Sequence, residues 1–146
     1  MSSRSIKILR VEDETSQRRL VAHHLTTIAS FRVEILYADA EEGALDLFDT
    51  GGVEFVILDY RLRQGNGLHC LEELRRRDPI VPIIAISGIA TPEIAANLLQ
   101  AGADDYISKR ELTGGELARS MHAAVARADE WRLRNVGLRR QDFFRA

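Results

Sequence analysis

Five short apolar runs of strand length constrain the fold most strongly, because a helical pattern separates each run from the next. The expected strands are residues 6–11, 33–37, 55–58, 83–86 and 106–108. Short strands that alternate with helices predict a parallel sheet with helices on both faces. We therefore expect an α/β fold, namely a doubly wound five-stranded parallel sheet.

Charged and hydroxyl side chains stand directly after four of these runs. They are Glu12 and Asp13, Asp59, Ser87, and Lys109. An aspartate after a strand is more often a cap or turn residue, so the prediction rests on the coincidence of five positions. Parallel strands bring their C-terminal ends to one edge of the sheet, where such sheets bind ligands. Clustered carboxylates repel unless a cation neutralises them, and oxygen ligands suit Mg²⁺, so we expect a magnesium site at this edge.

The expected helices carry terminal signals in addition to their apolar periodicity. The residue before a proline disfavours the α region, so Asp78 before Pro79 predicts the end of the third helix. Thr91 before Pro92 predicts an N-cap and first turn for the fourth helix. Thr113 is the expected cap of the fifth helix.

The apolar stripe of the fifth helix continues past the expected end of the domain. Its members are Leu117, Met121, Ala124, Ala128 and Trp131. A spacing of alternately four and three residues is typical of a short coiled-coil seam, so we expect a helix from residue 113 to 131 that leaves the stripe exposed for a homodimer or a partner protein. Gly137 is the expected end of the helix. A frayed terminus is the alternative, and a basic arm for nucleic acid is less favoured.

The composition allows one globular domain and excludes several classes of protein. In a chain of 146 residues we expect a domain over residues 1–128 and a C-terminal helical extension over residues 129–146. The net charge of -2 gives no electrostatic reason to expect binding to nucleic acid. Its one cysteine, Cys70, cannot form an internal disulfide, and no apolar stretch approaches the ~18 residues of a membrane span. We expect a cytoplasmic protein that binds no membrane.

The residues at the strand ends resemble those of response-regulator receiver domains of two-component signalling, the CheY-like family with a flavodoxin-like fold. The resemblance covers about residues 5–128. The matching stretches are Val11-Glu12-Asp13-Glu14, Leu58-Asp59-Tyr60-Arg61-Leu62 with Gly67 following, Ile86-Ser87-Gly88, Ala101-Gly102-Ala103-Asp104-Asp105-Tyr106 and Ile107-Ser108-Lys109.

The resemblance implies a role for each residue at the strand ends. Asp59 would accept a phosphoryl group from the phosphohistidine of a sensor histidine kinase or a phosphotransfer protein. Asp13 and Asp59 would bind Mg²⁺ directly, the backbone carbonyl of Arg61 would add an oxygen ligand, and Glu12 would act mostly through a bound water. Lys109 would pair with the phosphoryl oxygens. Such a protein catalyses only its own phosphotransfer and autodephosphorylation.

Ser87 and Tyr106 are the switch residues that the resemblance implies. Ser87 would donate a hydrogen bond to the phosphoryl group, and Tyr106 would then turn inward and change the surface that a downstream protein binds. The simpler interpretation of Tyr106 is a half-buried aromatic residue of an edge strand. Because the chain has no room for a second folded domain, we expect a stand-alone receiver.

The sequence departs from the family pattern at two positions where proline is usual. Arg110 follows Lys109, and a cis peptide before a residue other than proline costs roughly 2.5 to 4 kcal/mol, so we expect a trans peptide there. Arg63 replaces the other proline. These changes leave open a pseudo-receiver that binds partners without phosphorylation. A phosphatase of the haloacid-dehalogenase type is disfavoured, because Arg61 stands where that family needs an acidic residue.

Overall fold

The computed structural model describes residues 4–88 and 91–145, with side chains over residues 5–88 and 91–135. Five strands alternate with five helices within these residues. The strands are β1 (Arg4–Val11), β2 (Phe31–Ala38), β3 (Phe55–Asp59), β4 (Ile83–Ser87) and β5 (Asp105–Ser108). The helices are α1 (Thr15–Thr26), α2 (Glu41–Thr50), α3 (Gly67–Arg77), α4 (Pro92–Gln100) and α5 (Gly114–Arg145). None of these helices is both long and apolar enough to cross a membrane.

All strand pairs in the sheet are parallel, in the order β2-β1-β3-β4-β5. The predicted fold is therefore confirmed. Every residue of β3 and β4 is buried, because helices cover both faces of the sheet. The chain order reverses direction between β1 and β3, and in such sheets a crevice opens beyond the strand ends at that position.

Two apolar layers hold the helices against the sheet. On one face, Ile8 and Ile57 pack with side chains from α1 and α5, such as Leu25 and Met121. The opposite face is covered by α2, α3 and α4, and its buried members from these helices are Ala44, Cys70, Leu71, Leu74 and Leu98.

Three helix ends that were predicted from local sequence signals, those at Asp78, Thr91 and Thr113, are confirmed. The Thr91 hydroxyl accepts a hydrogen bond from the backbone N–H of Ile94 at 3.2 Å, with Pro92 as the first residue of α4. Thr113 accepts one from the N–H of Glu116 at 3.0 Å. Helix α3 ends at Arg77, one residue before Asp78. At each of these helix ends a capping threonine or a neighbouring proline ring is present.

Two expectations about α5 are wrong. Gly137 does not end the helix, which continues to Arg145, because a glycine costs only about 1 kcal/mol in a helix interior. Met121 and Ala128 are fully buried, so the apolar stripe packs against the domain's own sheet. The large apolar side chains that are exposed in the described part of α5 are Trp131 (41% exposed) and Leu133 (75%). The side chains of the tail residues Leu138, Phe143 and Phe144 lie outside the described residues.

Asp104 connects three elements at the N-terminal edge of the sheet, opposite the strand ends that carry the polar side chains. Its Oδ2 accepts hydrogen bonds from the backbone N–H of Ile83 at 2.8 Å and from Arg127 at 3.0 Å. Arg75 of α3 also donates to Oδ2, at 3.3 Å, and to the carbonyl of Gly102 at 2.7 Å. One carboxylate therefore joins α3, β4 and α5.

Replacing Asp104 by asparagine should lower the free energy of unfolding by about 2 kcal/mol, because the largely buried guanidinium of Arg75 and the half-exposed one of Arg127 would both lose their counter-charge. Asp49→Asn is the matched control, since Asp49 pairs with Arg77 on the surface and should contribute below about 0.5 kcal/mol. Urea unfolding of both variants measures the difference. Equal effects of the two substitutions would contradict a structural role for the Asp104 cluster.

Candidate functional site

Asp59 is the last residue of β3, and its carboxylate is buried at the C-terminal edge of the sheet, with 1% of the residue exposed. Its Oδ1 accepts a hydrogen bond from the backbone N–H of Arg61 at 2.9 Å. Its Oδ2 lies 2.9 Å from Nζ of Lys109, which follows β5. The two oxygens therefore have different partners, one from the adjacent loop and one from a distant strand end.

A glycine makes the loop after Asp59 possible. A Cβ atom on Gly67 would lie 2.3 Å from the carbonyl oxygen of Asp59, a distance that no side chain can occupy. The Gly67 N–H donates to the carbonyl of Tyr60 at 2.8 Å, and Asn66 caps α3 through the N–H of His69. The chain thus turns directly beneath Asp59 and holds its backbone in place.

Glu12 and Asp13 follow β1, the neighbour of β3. Glu12 is as deeply buried as Asp59, whereas Asp13 is only half-buried. The Oδ2 atom of Asp13 accepts a hydrogen bond from the backbone N–H of Arg63 at 2.7 Å, and the Arg63 guanidinium lies 3.8 Å away. Arg18 of α1 donates to the carbonyl of Glu12 at 2.7 Å. Loop and helix contacts therefore fix both acidic residues.

Arg10 lies beneath the carboxylates and is itself 1% exposed. Its Nη2 donates to Oε1 of Glu12 at 3.3 Å, and its Nη1 donates to the carbonyls of Val11 and Ile57 at 3.1 and 3.3 Å. Burial lowers the pKa of Arg10, and the negative charges of Glu12 and Asp59 oppose that change. A positive side chain thus sits inside the sheet between β1 and β3.

The protonation of Glu12 is shifted strongly by its surroundings. Burial, a side-chain hydrogen bond with Asp59 and the charge of Asp59 raise the pKa of Glu12 to about 8, while Arg10 and Lys109 lower it. Two carboxyl groups in contact inside a protein cannot easily both ionise. The site therefore retains a proton near neutral pH unless another cation replaces it.

Ser87 and Tyr106 lie beside this cluster and contact each other. Ser87 ends β4 and is fully buried, and Tyr106 of β5 is partly buried against the layer formed by α3 and α4. Burial raises the pKa of Tyr106, and a side-chain hydrogen bond with Ser87 opposes that change. The backbone N–H of Lys109 donates to the Ser87 carbonyl at 2.9 Å, so β4 also positions the lysine.

The predicted residues divide into those that line one cavity and those that do not. A cavity of about 510 Å³ is lined by Glu12, Asp13, Glu14, Asp59, Arg61, Leu62, Arg63, Gly88 and Lys109. The structure therefore brings together the carboxylates, the lysine and Arg61. Ser87 and Tyr106 lie outside this lining, although Gly88 next to Ser87 belongs to it. The peptide between Lys109 and Arg110 is trans, as predicted.

The donor set of this cavity suits a hard cation, although the side chains are not yet arranged around one. Within residues 4–88 and 91–145, no three acidic, histidine or cysteine side chains converge as a finished metal site. Asp13 is turned towards Arg63, and Asp59 is turned towards Lys109. The carboxylate oxygens nevertheless open on a common cavity, and oxygen ligands of this kind suit Mg²⁺.

Sequence reasoning missed the contribution of Arg10 and the backbone hydrogen bond from Arg63 to Asp13. Arg10 could have been noticed, because it shares its face of β1 with Ile6, Ile8 and Glu12 and therefore points towards the interior. No sequence signal identifies the Arg63 contact, since it depends on the conformation of the loop. Cys70 is a packed side chain, as predicted, and burial raises the pKa of its thiol to about 12.

Comparison with known proteins decides the family. The sequence profile of the response regulator receiver domain matches residues 8–121, which is most of the chain. The chain belongs to the response regulator receiver family. It is accordingly a receiver domain of two-component signalling, and the resemblance noted at the strand ends is confirmed.

Three relatives of this receiver belong to longer proteins. An NtrX-like response regulator from Rickettsia felis is 37% identical over 106 residues, which cover 71% of this chain and 22% of the relative. Regulatory protein AtoC of Escherichia coli is 32% identical over 103 residues, which cover 70% and 22%. The crystal structure of NtrX from Brucella abortus matches with a TM-score of 0.79 at 28% identity, over 90% of this chain and 30% of that one. The chain therefore spans less than a third of the length of each.

The raised pKa of Glu12 predicts a pH-dependent stability of this receiver in buffer without divalent ions. Between the ordinary pKa of 4.5 and the folded value of about 8, the folded state holds a proton that the unfolded state has lost. The stability that this proton provides is complete below about pH 4.5 and is lost as the pH rises through 8. The Glu12→Gln variant, whose amide resembles the protonated acid, should lack this part of the decline.

Urea unfolding of both proteins between pH 5 and 8 measures the effect. The difference in unfolding free energy between Glu12→Gln and the unmodified chain should change steadily across this range. Parallel pH profiles would show that Glu12 does not hold the proton.

Proposed function

We propose that this receiver accepts a phosphoryl group on Asp59 from the phosphohistidine of a sensor histidine kinase or phosphotransfer protein. The observation that carries the proposal is the position of the Asp59 carboxylate, 2.9 Å from Lys109 in a cavity shared with Glu12 and Asp13. The domain would catalyse only its own phosphotransfer and dephosphorylation. Its output would be a change in binding to a downstream protein.

The two oxygens of Asp59 suggest how the transfer proceeds. Oδ1 is held by a backbone N–H, that of Arg61, whereas Oδ2 is paired with the Lys109 side chain, which can move with the transferred oxygens; Oδ2 is therefore the oxygen that would attack phosphorus. A P–O bond forms to Asp59 while the P–N bond to the donor histidine breaks, and the imidazole nitrogen keeps the bonding electron pair. Lys109 would follow the transferred oxygens and balance their charge. Chemistry of this kind depends mainly on positioning and on stabilising charge.

Mg²⁺ is the proposed cofactor of this step. Asp13, Asp59 and the backbone carbonyl of Arg61 would hold the ion, with Glu12 acting mostly through water. When bound, the ion supplies positive charge to the phosphoryl oxygens. In the present conformation Oδ2 of Asp13 contacts Arg63 and Oδ2 of Asp59 contacts Lys109, so binding of the ion through these two oxygens would displace those contacts.

The hydrogen bond between Ser87 and Tyr106 supports the proposed switch. If the Ser87 hydroxyl turns to donate to a phosphoryl oxygen, the geometry of its hydrogen bond with Tyr106 would change with it. Tyr106 would then change position relative to α4 and α5. A downstream protein that contacts this surface would sense the phosphorylation state.

Incubation with acetyl phosphate and Mg²⁺ should add one phosphoryl group to the chain, and Asp59→Asn should abolish the labelling. Asp39→Asn is the matched control, since Asp39 is an exposed aspartate that follows β2 but lies outside the cavity. Intact-protein mass spectrometry, with hydroxylamine cleavage of the acyl phosphate, measures both. Undiminished labelling of Asp59→Asn would refute the assignment.

A pseudo-receiver that binds partners without phosphorylation is the second candidate. It is favoured by the contacts of Arg63 and Lys109, which already occupy Asp13 and Asp59 in this conformation. The labelling experiment separates the two functions. A folded chain that takes up no phosphoryl group from acetyl phosphate or from any phosphohistidine donor would support the scaffold.

We also propose that α5 mediates a homodimer. The part that packs on the sheet is buried, but Trp131 and Leu133 stay exposed beyond it, and exposed apolar area favours association. Two copies of one helix can pair across a two-fold axis. The occupant of this surface would therefore be a second copy of the chain.

Trp131→Ala should raise the dimer dissociation constant by about tenfold, since roughly 1.4 kcal/mol of apolar burial would be lost. Leu20→Ala on α1 is the control, because Leu20 is equally exposed on a different helix. Sedimentation velocity gives the dissociation constants. A monomer at high micromolar concentration, with and without phosphodonor, would exclude the dimer.

A further inference from the structure

Arg10 is an unusual residue for the interior of a parallel sheet. It lies on the face of β1 that carries the buried residues Ile6 and Ile8, and it is itself 1% exposed. An arginine is almost never fully buried unless its charge is compensated. A buried arginine at this position therefore implies that nearby acidic or carbonyl groups compensate its charge.

The contacts of Arg10 point to the acidic site. Its guanidinium donates to Oε1 of Glu12 at 3.3 Å and to the strand carbonyls of Val11 and Ile57. Every one of these partners belongs to β1, to β3 or to the residue that follows β1. Because strands inside a sheet do not move independently, the guanidinium is held in one place beneath the carboxylates.

The other two cations of the site are held less firmly. Lys109 is 27% exposed and Arg63 is 79% exposed, so both side chains can turn into solvent when a ligand enters. Arg10 has no such route, because it is enclosed by the sheet and its helices. Any cation that reaches the carboxylates therefore meets the charge of Arg10, whereas Lys109 and Arg63 can withdraw.

We propose that Arg10 is a positioning residue that acts as a permanent internal counter-ion of the acidic site and weakens its affinity for divalent cations. It holds Glu12 by a hydrogen bond and supplies part of the positive charge that a metal ion would otherwise bring. The site can then stay folded without a metal ion, and it binds one less tightly than the same carboxylates without an arginine behind them. This inference rests on the proposed function only in that Mg²⁺ is taken to bind here.

The test compares Mg²⁺ affinity in the whole chain and in two arginine variants. Arg10→Met removes the buried charge and keeps much of the volume, and Arg63→Met removes an exposed charge from the same cavity. Isothermal titration calorimetry with MgCl₂, together with the shift of the melting temperature between 0.1 and ~50 mM Mg²⁺, reports binding without any phosphotransfer assay.

Arg10→Met should tighten Mg²⁺ binding by about tenfold or more, because a fixed like charge in a low-dielectric setting is removed. Arg63→Met should change the affinity by less than about threefold, because solvent already screens its charge. A general loss of structure would weaken binding, so a gain in affinity cannot come from misfolding. Unchanged or weaker binding by folded Arg10→Met would overturn the inference.

A second pair of variants keeps the test decisive if Arg10→Met, which leaves the buried Glu12 carboxylate with the Lys109 ammonium at 3.9 Å, does not fold. Glu12→Gln removes the carboxylate that Arg10 contacts. The double variant, Arg10→Met with Glu12→Gln, then removes the arginine without leaving the Glu12 carboxylate behind. The double variant should bind Mg²⁺ about tenfold more tightly than Glu12→Gln alone. Equal affinities would overturn the inference.

The proposed function fails in a different way from the inference. If Asp59 is labelled by acetyl phosphate and Mg²⁺ binds with the same affinity in every arginine variant, the role of Arg10 is wrong and the receiver function stands. If neither the unmodified chain nor a folded variant binds Mg²⁺ up to ~50 mM, the metal-dependent function is wrong and the inference falls with it.

Discussion

The burial of two acidic groups at the ends of β1 and β3 is the constraint on which the rest of the site depends. Glu12 and Asp59 are both removed from water, an arrangement that is strongly unfavourable unless a shared proton and nearby positive charge reduce their repulsion. The compensating groups come from distant parts of the chain: Arg10 lies in β1, and Lys109 follows β5. The acidic site therefore exists only when the strands are assembled in their native order.

The polar groups at the two edges of the sheet have different roles: one set joins helices and strands, and the other lines a cavity. At the N-terminal edge, Asp104 joins α3, β4 and α5 through ion pairs and a backbone hydrogen bond. At the C-terminal edge, the polar groups surround a cavity instead of filling it. Strand β5 contacts both α5 and the residues beside the cavity. Asp105 accepts a hydrogen bond from Ser120 of α5 at 2.7 Å, and the next residue, Tyr106, contacts Ser87. A change at Ser87 thus begins one residue from a contact that holds α5.

Much of the fold could be predicted because its signals are local. Apolar runs located the strands, Thr91 and Thr113 located helix starts, and the geometry of parallel strands placed Asp13, Asp59 and Lys109 at one edge. The direction in which a buried group points was harder to predict. Met121 was expected on an exposed seam, because periodicity shows that a helix has an apolar face but not what covers it.

The electrostatic details of the site could not be predicted for a related reason. The alternation of β1 places Arg10 on the same inward face as Ile8, but it does not show which groups the guanidinium contacts. Those partners, Glu12 and two strand carbonyls, depend on the assembled sheet. The contact between Arg63 and Asp13 depends on a loop conformation that no residue type encodes. The metal-binding and phosphoryl-transfer roles of the site residues stay predictions, because they concern groups other than the chain itself.

Helix α5 is long enough to extend well beyond the part that packs on the sheet. Its 32 residues form one continuous helix of about 48 Å, since each residue adds about 1.5 Å along the axis. Its first half is held by the sheet, with Ser120 bonded to β5 and Arg127 bonded to Asp104. Because a straight helix of this length turns a small tilt at Ser120 into a displacement of several ångströms at its far end, a change in the orientation of β5 would alter the position of a segment far from the cavity.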